Sequence, residues 1–273
     1  MTVALTFVGW LDLVAAVVLA GGLLHARLVG EPSAAGRRVL GRAAWALAIV
    51  LPLEFGLTAL RMYDVSGVRG TALVWDLLRA RWGELWALRC LGLAVLASST
   101  RFAAALAAPW LLLRSFQGHA GAHGTVPALI DWLHLTAAAV WIGSLVQLAL
   151  LPRPLPAVVA ERVRTLATLA LAVLVPAGAY AAVLHVQRLD MLIRSPYGLA
   201  LLVKLALATA LVALGAANHF RHVPAMRRGE GAAPARLARA VGVELVIAAA
   251  VLLVTSLLGA LPMPHTMPHF HAH

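Results

Sequence analysis

Cysteine, acidic side chains and long polar stretches are what this 273-residue sequence has least of. Its one cysteine, Cys90, excludes an intramolecular disulfide and any paired-cysteine metal motif, so thiols leave the redox compartment undefined. Charged residues are 12% of the chain against 62% hydrophobic. That is well above the roughly 45–50% apolar share of soluble domains, and it marks a membrane protein. No polar segment of domain size interrupts the apolar runs, so no separate catalytic domain is expected, and the chain is read as a non-enzyme. No Gly-x-x-x-x-Gly-Lys stretch occurs, which excludes a P-loop nucleotide site. The net charge of +11 comes from arginines in the short connections between apolar runs, where membrane topology already places them. Membrane lipids, not nucleic acid, are the expected environment.

What is present is a succession of apolar runs, each near the ~20 residues that cross a ~30 Å hydrocarbon core. They predict an all-α, polytopic membrane protein with eight transmembrane helices at about 3–26, 39–61, 83–99, 102–117, 129–151, 163–186, 197–220 and 240–261. A tight hairpin at Ser98-Ser99-Thr100-Arg101 separates the third from the fourth. The first run lacks a basic leader and exceeds a signal-peptide core, so it is expected to be retained. Connections after the odd-numbered helices hold thirteen arginines and those on the opposite side seven. The positive-inside rule therefore puts both termini outside the cytoplasm.

The chain also repeats itself. WLDLVAAVVLAGGLL from Trp10 matches WLHLTAAAVWIGSLV from Trp132, and LAIVLP ending at Pro52 matches LAVLVP ending at Pro176. Trp82-Gly83 followed by Arg89 matches Tyr197-Gly198 followed by Lys204. The offsets of 122, 124 and 115 keep their order, predicting two parallel four-helix repeats over residues 1–118 and 119–262, then a tail over 263–273. An even number of helices per repeat implies a pseudo-two-fold axis along the membrane normal. Small residues such as Gly21, Gly22, Gly143 and Ser144 should line the packing surfaces. Under this alignment His134 takes the position of Asp12, and His185 that of Arg61.

Polar groups at membrane depth face a bundle interior or a wet cavity. Here they are Asp12, Glu54, Arg89, His134, His185, Lys204, His219 and Glu244. Arg89 and Lys204 are expected to pair with Asp12, Glu54 or Glu244 and hold the bundle together. His134 and His185 are placed together near the outer face. Asp131 shares the face of His134 three residues away and can orient its ring, and Trp141 continues that face. Met62 and Met191, on the same side, can add thioether ligands. His25, with Asn218, His219 and His222, marks the inner level, where an ordinary interfacial histidine is the competing reading. Outside the membrane, His119 and His123 lie in the connection 118–124, and the terminal PMPHTMPHFHAH carries Met263, His265, Met267, His269, His271 and His273. Such a His and Met tract captures metal. Thioether sulfur favours Cu(I), while imidazole also suits Cu(II), zinc and nickel.

GHAGAHG followed by DWLHLTAAAVWIGSL, then SPYGLALLVKLALATALVALGAANH and the ELVIAAAVLL helix, resembles the copper resistance protein D (CopD) family of bacterial inner-membrane proteins. The likeness is strong over about 115–262 and looser before it. It implies copper movement from periplasm to cytoplasm, a periplasmic copper-binding protein as partner, and His134, Trp141, Gly143, Tyr197, Gly198 and Lys204 as family-pattern positions. The expected path runs from His119, His123 and the tail through His134, His185, Met62 or Met191 to His25 and His219, with copper as Cu(I) or Cu(II). The alternative is a b-type haem protein, with His134 and His185 ligating one haem and His25 and His219 another. A copper sensor or accessory subunit is a third reading.

Overall fold

A computed structural model of the protein describes residues 2–68, 70–98, 100–153, 155–185 and 190–261, apart from the side chains at 65, 100, 101, 185 and 191. The described residues are helical, with no strand among them. The helices are α1 (Thr2–Leu28), α2 (Ala34–Ser66), α3 (Gly70–Arg79), α4 (Arg81–Ser98), α5 (Thr100–Gln117), α6 (His119–Ala122), α7 (Thr125–Ala149), α8 (Ala157–His185), α9 (Met191–Arg194), α10 (Pro196–Ala217), α11 (Val223–Arg227) and α12 (Ala233–Ala260). A π-helical turn, Asn218–His222, joins α10 to α11.

Local chemistry sets several ends. Ser33 caps α2 by accepting from the Gly36 amide, and Gly67 closes it in the left-handed region at φ 68°. Ser195 caps α10 by accepting from the Gly198 amide, with Pro196 in the first turn, where its missing N–H costs nothing.

Among the described residues, six helices are long and apolar enough to cross a membrane: α1, α2, α7, α8, α10 with its continuation to Arg227, and α12. That is two fewer than the eight spans expected. The 18-residue α4 and α5 fall outside this set: α4 carries Arg81, Glu84 and Arg89, and α5 carries Arg101 and Arg114. The connection between the second and third expected helices is itself helical. In α3, Leu77 is buried while Trp75 is exposed, so an amphipathic segment replaces the expected loop. Helix α7 also begins earlier than expected, because Pro127 falls in its first turn, where proline is tolerated rather than helix-breaking.

The core is built around α1, which packs on α2, α5, α7 and α12, while α7 packs on α1, α5, α8 and α12. Helices α1 and α7 meet through glycine. A Cβ on Gly21 would run into the Ala139 carbonyl, and one on Gly143 into the backbone of Gly21 and Gly22. Close backbone contact of this kind replaces the hydrophobic drive that lipid removes. Helix α10 rests mainly on α12.

Candidate functional site

Several groups of polar side chains occupy the interior, and two of them contain the residues that the sequence singles out most strongly. The first joins α1, α2, α4 and α5. Asp12, 0% exposed, accepts from Arg89 Nη2 at 2.6 Å, and its other oxygen lies 3.0 Å from Arg114 Nε. Arg89 Nη1 also donates to Glu54 Oε2 at 3.3 Å and to Gln117 Oε1 at 2.9 Å. The Trp110 indole donates to the Arg89 carbonyl at 2.9 Å, and its ring lies under the guanidinium. Arg89 is thus paired with Asp12 and Glu54 as expected. Two carboxylates and two guanidiniums in one cluster give charge balance without a metal.

The second group surrounds His134. Helix α7 starts at Thr125, so His134 lies nine residues in, about 14 Å along the axis. That is four residues further into its helix than the expected start at 129 had placed it. The ring lies against α8, interacting with the Leu174 backbone, and a Cβ placed on Gly178 would stand 3.3 Å from its Cε1. Its Nδ1 is buried with no hydrogen-bond partner. Asp131 and Lys204 both lie within electrostatic range of it. Lys204 therefore neighbours Asp131 and His134, and no ion pair joins it to Glu244 among the described residues. The backbone of α8 continues seven residues past Gly178 to residue 185, about 10 Å along the axis. The expected partners His185 and Met191 have side chains outside the described residues, as do all of Met263, His265, Met267 and His269.

The remaining candidates are dispersed. His119 is exposed, its Nε2 2.9 Å from the Gly259 carbonyl, and His123 is exposed at the end of α6. Met62 is exposed on α2. His25 is buried, its Nδ1 3.2 Å from Ser144 Oγ on α7. His219 lies 3.3 Å from the Arg164 guanidinium and 3.2 Å from Thr168 Oγ1, both on α8. Each of the two inner histidines is thus engaged by another helix rather than by the other, and the paired inner haem ligation finds no support in these contacts. Among the described residues no three of His, Cys, Asp and Glu gather where one metal ion could be held.

A cavity of about 220 Å³ opens between α7, α8, α10 and α12, lined by Trp141, Arg164, Asn218, His219 and Glu244 among mostly apolar side chains. Glu244, 1% exposed, accepts from Asn218 Nδ2 at 2.9 Å. Asn218, 8% exposed, keeps its Oδ1 buried without a partner. Sequence reasoning noted both residues but did not join them. Their meeting depends on the π-helical turn, which re-aims side chains by one position and leaves no signature in hydropathy.

Residues 157–258, from α8 to α12, match the family described as Copper resistance protein D. The chain is also 33% identical over 164 residues to the copper transport protein CutJ of Bacillus subtilis (strain 168). That match covers 56% of this chain but spans only 29% of the relative's length. No solved structure matches. Two likenesses thus point the same way: over residues 157–258 this chain is similar to the copper resistance protein D family, and part of it is similar to a copper transport protein.

Proposed function

We propose that this chain carries copper across the bacterial inner membrane, from periplasm to cytoplasm, with His134 as the mid-membrane waypoint. The observation that carries this is the His134 ring: well inside a candidate span, against a glycine, with a buried Nδ1 that makes no well-formed hydrogen bond although the Leu174 backbone lies close. Burying an unpaired nitrogen costs free energy unless something occupies it, and imidazole nitrogen suits copper in either common oxidation state. Asp131 orients the ring. His119, His123 and the His/Met tail gather copper on the periplasmic side, with His185, Met62 and Met191 above His134. A periplasmic copper-binding protein delivers the ion, and His25 and His219 lie towards the cytoplasmic exit. Both termini are periplasmic.

The bundle is read as two parallel four-helix repeats, with α4 and α5 completing the first. Three contacts support it. Asp12 on α1 meets Arg89 on α4, and at the equivalent positions His134 on α7 neighbours Lys204 on α10. Glu54, within electrostatic range of Asp12, is equivalent to Gly178, which abuts His134 at the position equivalent to Asp12. Gly21 and Gly143, equivalent under the offset of 122, touch each other, as residues on a two-fold axis do.

The test is copper accumulation in cells expressing the full chain. His134→Ala should abolish copper-dependent accumulation while the protein remains in the membrane at normal abundance; normal accumulation would sink the reading. Purified protein should hold copper and show no Soret band.

A further inference from the structure

The strongest feature that the pathway through His134 leaves unused is Glu244. It is buried to 1% exposure on α12, and no cation is paired with it among the described residues. The one cationic side chain lining the same cavity, Arg164, is committed to Glu161 at 3.0 Å. An ionised carboxylate removed from water costs several kcal/mol unless a positive charge answers it. The other interior carboxylates, Asp12 and Glu54, do have guanidinium partners.

Beside Glu244 lies a second unanswered group. Asn218 gives its amide hydrogen to Glu244 Oε1, which leaves Asn218 Oδ1 buried and unsatisfied at the wall of the same cavity. Its neighbour His219 presents an imidazole to that cavity, held by Arg164 and Thr168. The lining is therefore acceptor-rich at the Glu244 end: a carboxylate and an amide oxygen, with room beside them for an ion and accompanying water. The π-helical turn at Asn218–His222 sets this arrangement, and such turns recur at functional sites.

The cavity also has a wall towards His134. Trp141 follows His134 by seven residues, two turns along the same face of α7, and it lines the cavity. A Cβ on Gly215 would stand 3.3 Å from the Trp141 ring and 3.6 Å from Glu244 Oε1, so glycine there lets indole and carboxylate approach the same stretch of α10.

We infer that Glu244 and Asn218 form a second cation site in this cavity, separated from His134 by Trp141, which takes the transported copper ion from His134 and releases it. Oxygen donors hold a soft ion less tightly than imidazole or thioether does, and a site that passes an ion onward must bind weakly enough to let it leave. The inference rests on the transport reading for the identity of the ion, and on its own residues for the site.

Copper stoichiometry of the purified full chain, by equilibrium dialysis and elemental analysis, tests it, with buffered Cu(I) and Cu(II) assayed separately. Glu244→Gln keeps an acceptor for Asn218 and removes the charge. It should bind one ion fewer per chain than the unsubstituted protein in at least one oxidation state, and His134→Ala combined with it should lose two. Glu244→Asp should restore the ion at weaker affinity, which separates loss of charge from loss of fold. Equal stoichiometry in the unsubstituted and Glu244→Gln chains, for both forms of copper, would mean that Glu244 is held neutral by a proton, and the second site would be abandoned. If Glu244→Gln loses an ion while His134→Ala loses none, the cavity site stands and the His134 waypoint falls.

Discussion

The Asp12 cluster and the His134 pocket occupy comparable places in the bundle and solve opposite problems. Around Asp12, every charge has an opposite within 3.3 Å: Arg89 answers Asp12 and Glu54, and Arg114 answers Asp12 again. Around His134 stand Gly178, which brings no side chain, and, within electrostatic range, Lys204 and Asp131. What remains is one unsatisfied ring nitrogen beside a residue with no side chain. A closed ion cluster leaves no ligand free for a passing metal, whereas an open one does. The difference is between a cluster whose charges all have opposites and a pocket whose imidazole lacks a well-formed hydrogen bond.

The largest effect should come from opening the closed cluster. Arg89→Met leaves Asp12 and Glu54 buried without their main counter-charge, and removing one partner of a buried pair costs about 3–5 kcal/mol. Loss of the folded chain from the membrane, or a steep fall in detergent melting temperature, is expected; wild-type stability would mean that Arg114 alone balances the cluster. Next comes the α1/α7 contact that carries both regions. Gly143→Leu forces the backbones apart at Gly21, and overpacking of this kind costs about 1–3 kcal/mol. A melting curve indistinguishable from the parent would show that the helices can separate there at no cost.

Converting the open pocket into a closed one should leave the fold standing and remove transport. His134→Asp places a carboxylate within electrostatic range of Lys204, where it can answer that charge together with Asp131. The expected outcome is equal or higher thermal stability with copper accumulation at background. Accumulation at the parental level would break the distinction between the two regions.

The smallest effect belongs to an exposed ion group, one carboxylate between two guanidiniums, at the start of α12. Glu230 accepts from Arg228 at 2.8 Å and Arg236 at 3.0 Å, and the hydrogen bond from Arg228 holds its carboxyl below the usual value. A depressed carboxyl stabilises the fold above its unfolded value and loses that contribution as pH falls through the lowered one. The group is fully exposed, so water and salt screen it. Glu230→Gln should leave the melting temperature unchanged at neutral pH. A clear drop would show that fully exposed ion groups in this chain matter as the buried cluster does.

Much of this organisation was legible in residue order. Apolar runs require helices in a chain this poor in charge. The glycines at 21 and 143 mark a close approach that the packing contains. Other features were not legible. Helix α7 takes Pro127 into its first turn and so starts four residues before the expected 129. Helix α3 was hidden among arginines.

By itself, the sequence determined that the chain lives in a membrane, that its helices approach through small residues, and that imidazole stands in the second half where carboxylate stands in the first. Those follow from side-chain type and spacing, which act locally. Only the tertiary structure decided which buried groups find partners. Arg89 lies 77 residues from Asp12, and Asn218 lies 26 from Glu244. Whether a buried charge is answered depends on what packing brings within about 3 Å of it, and hydropathy along the chain does not carry that information.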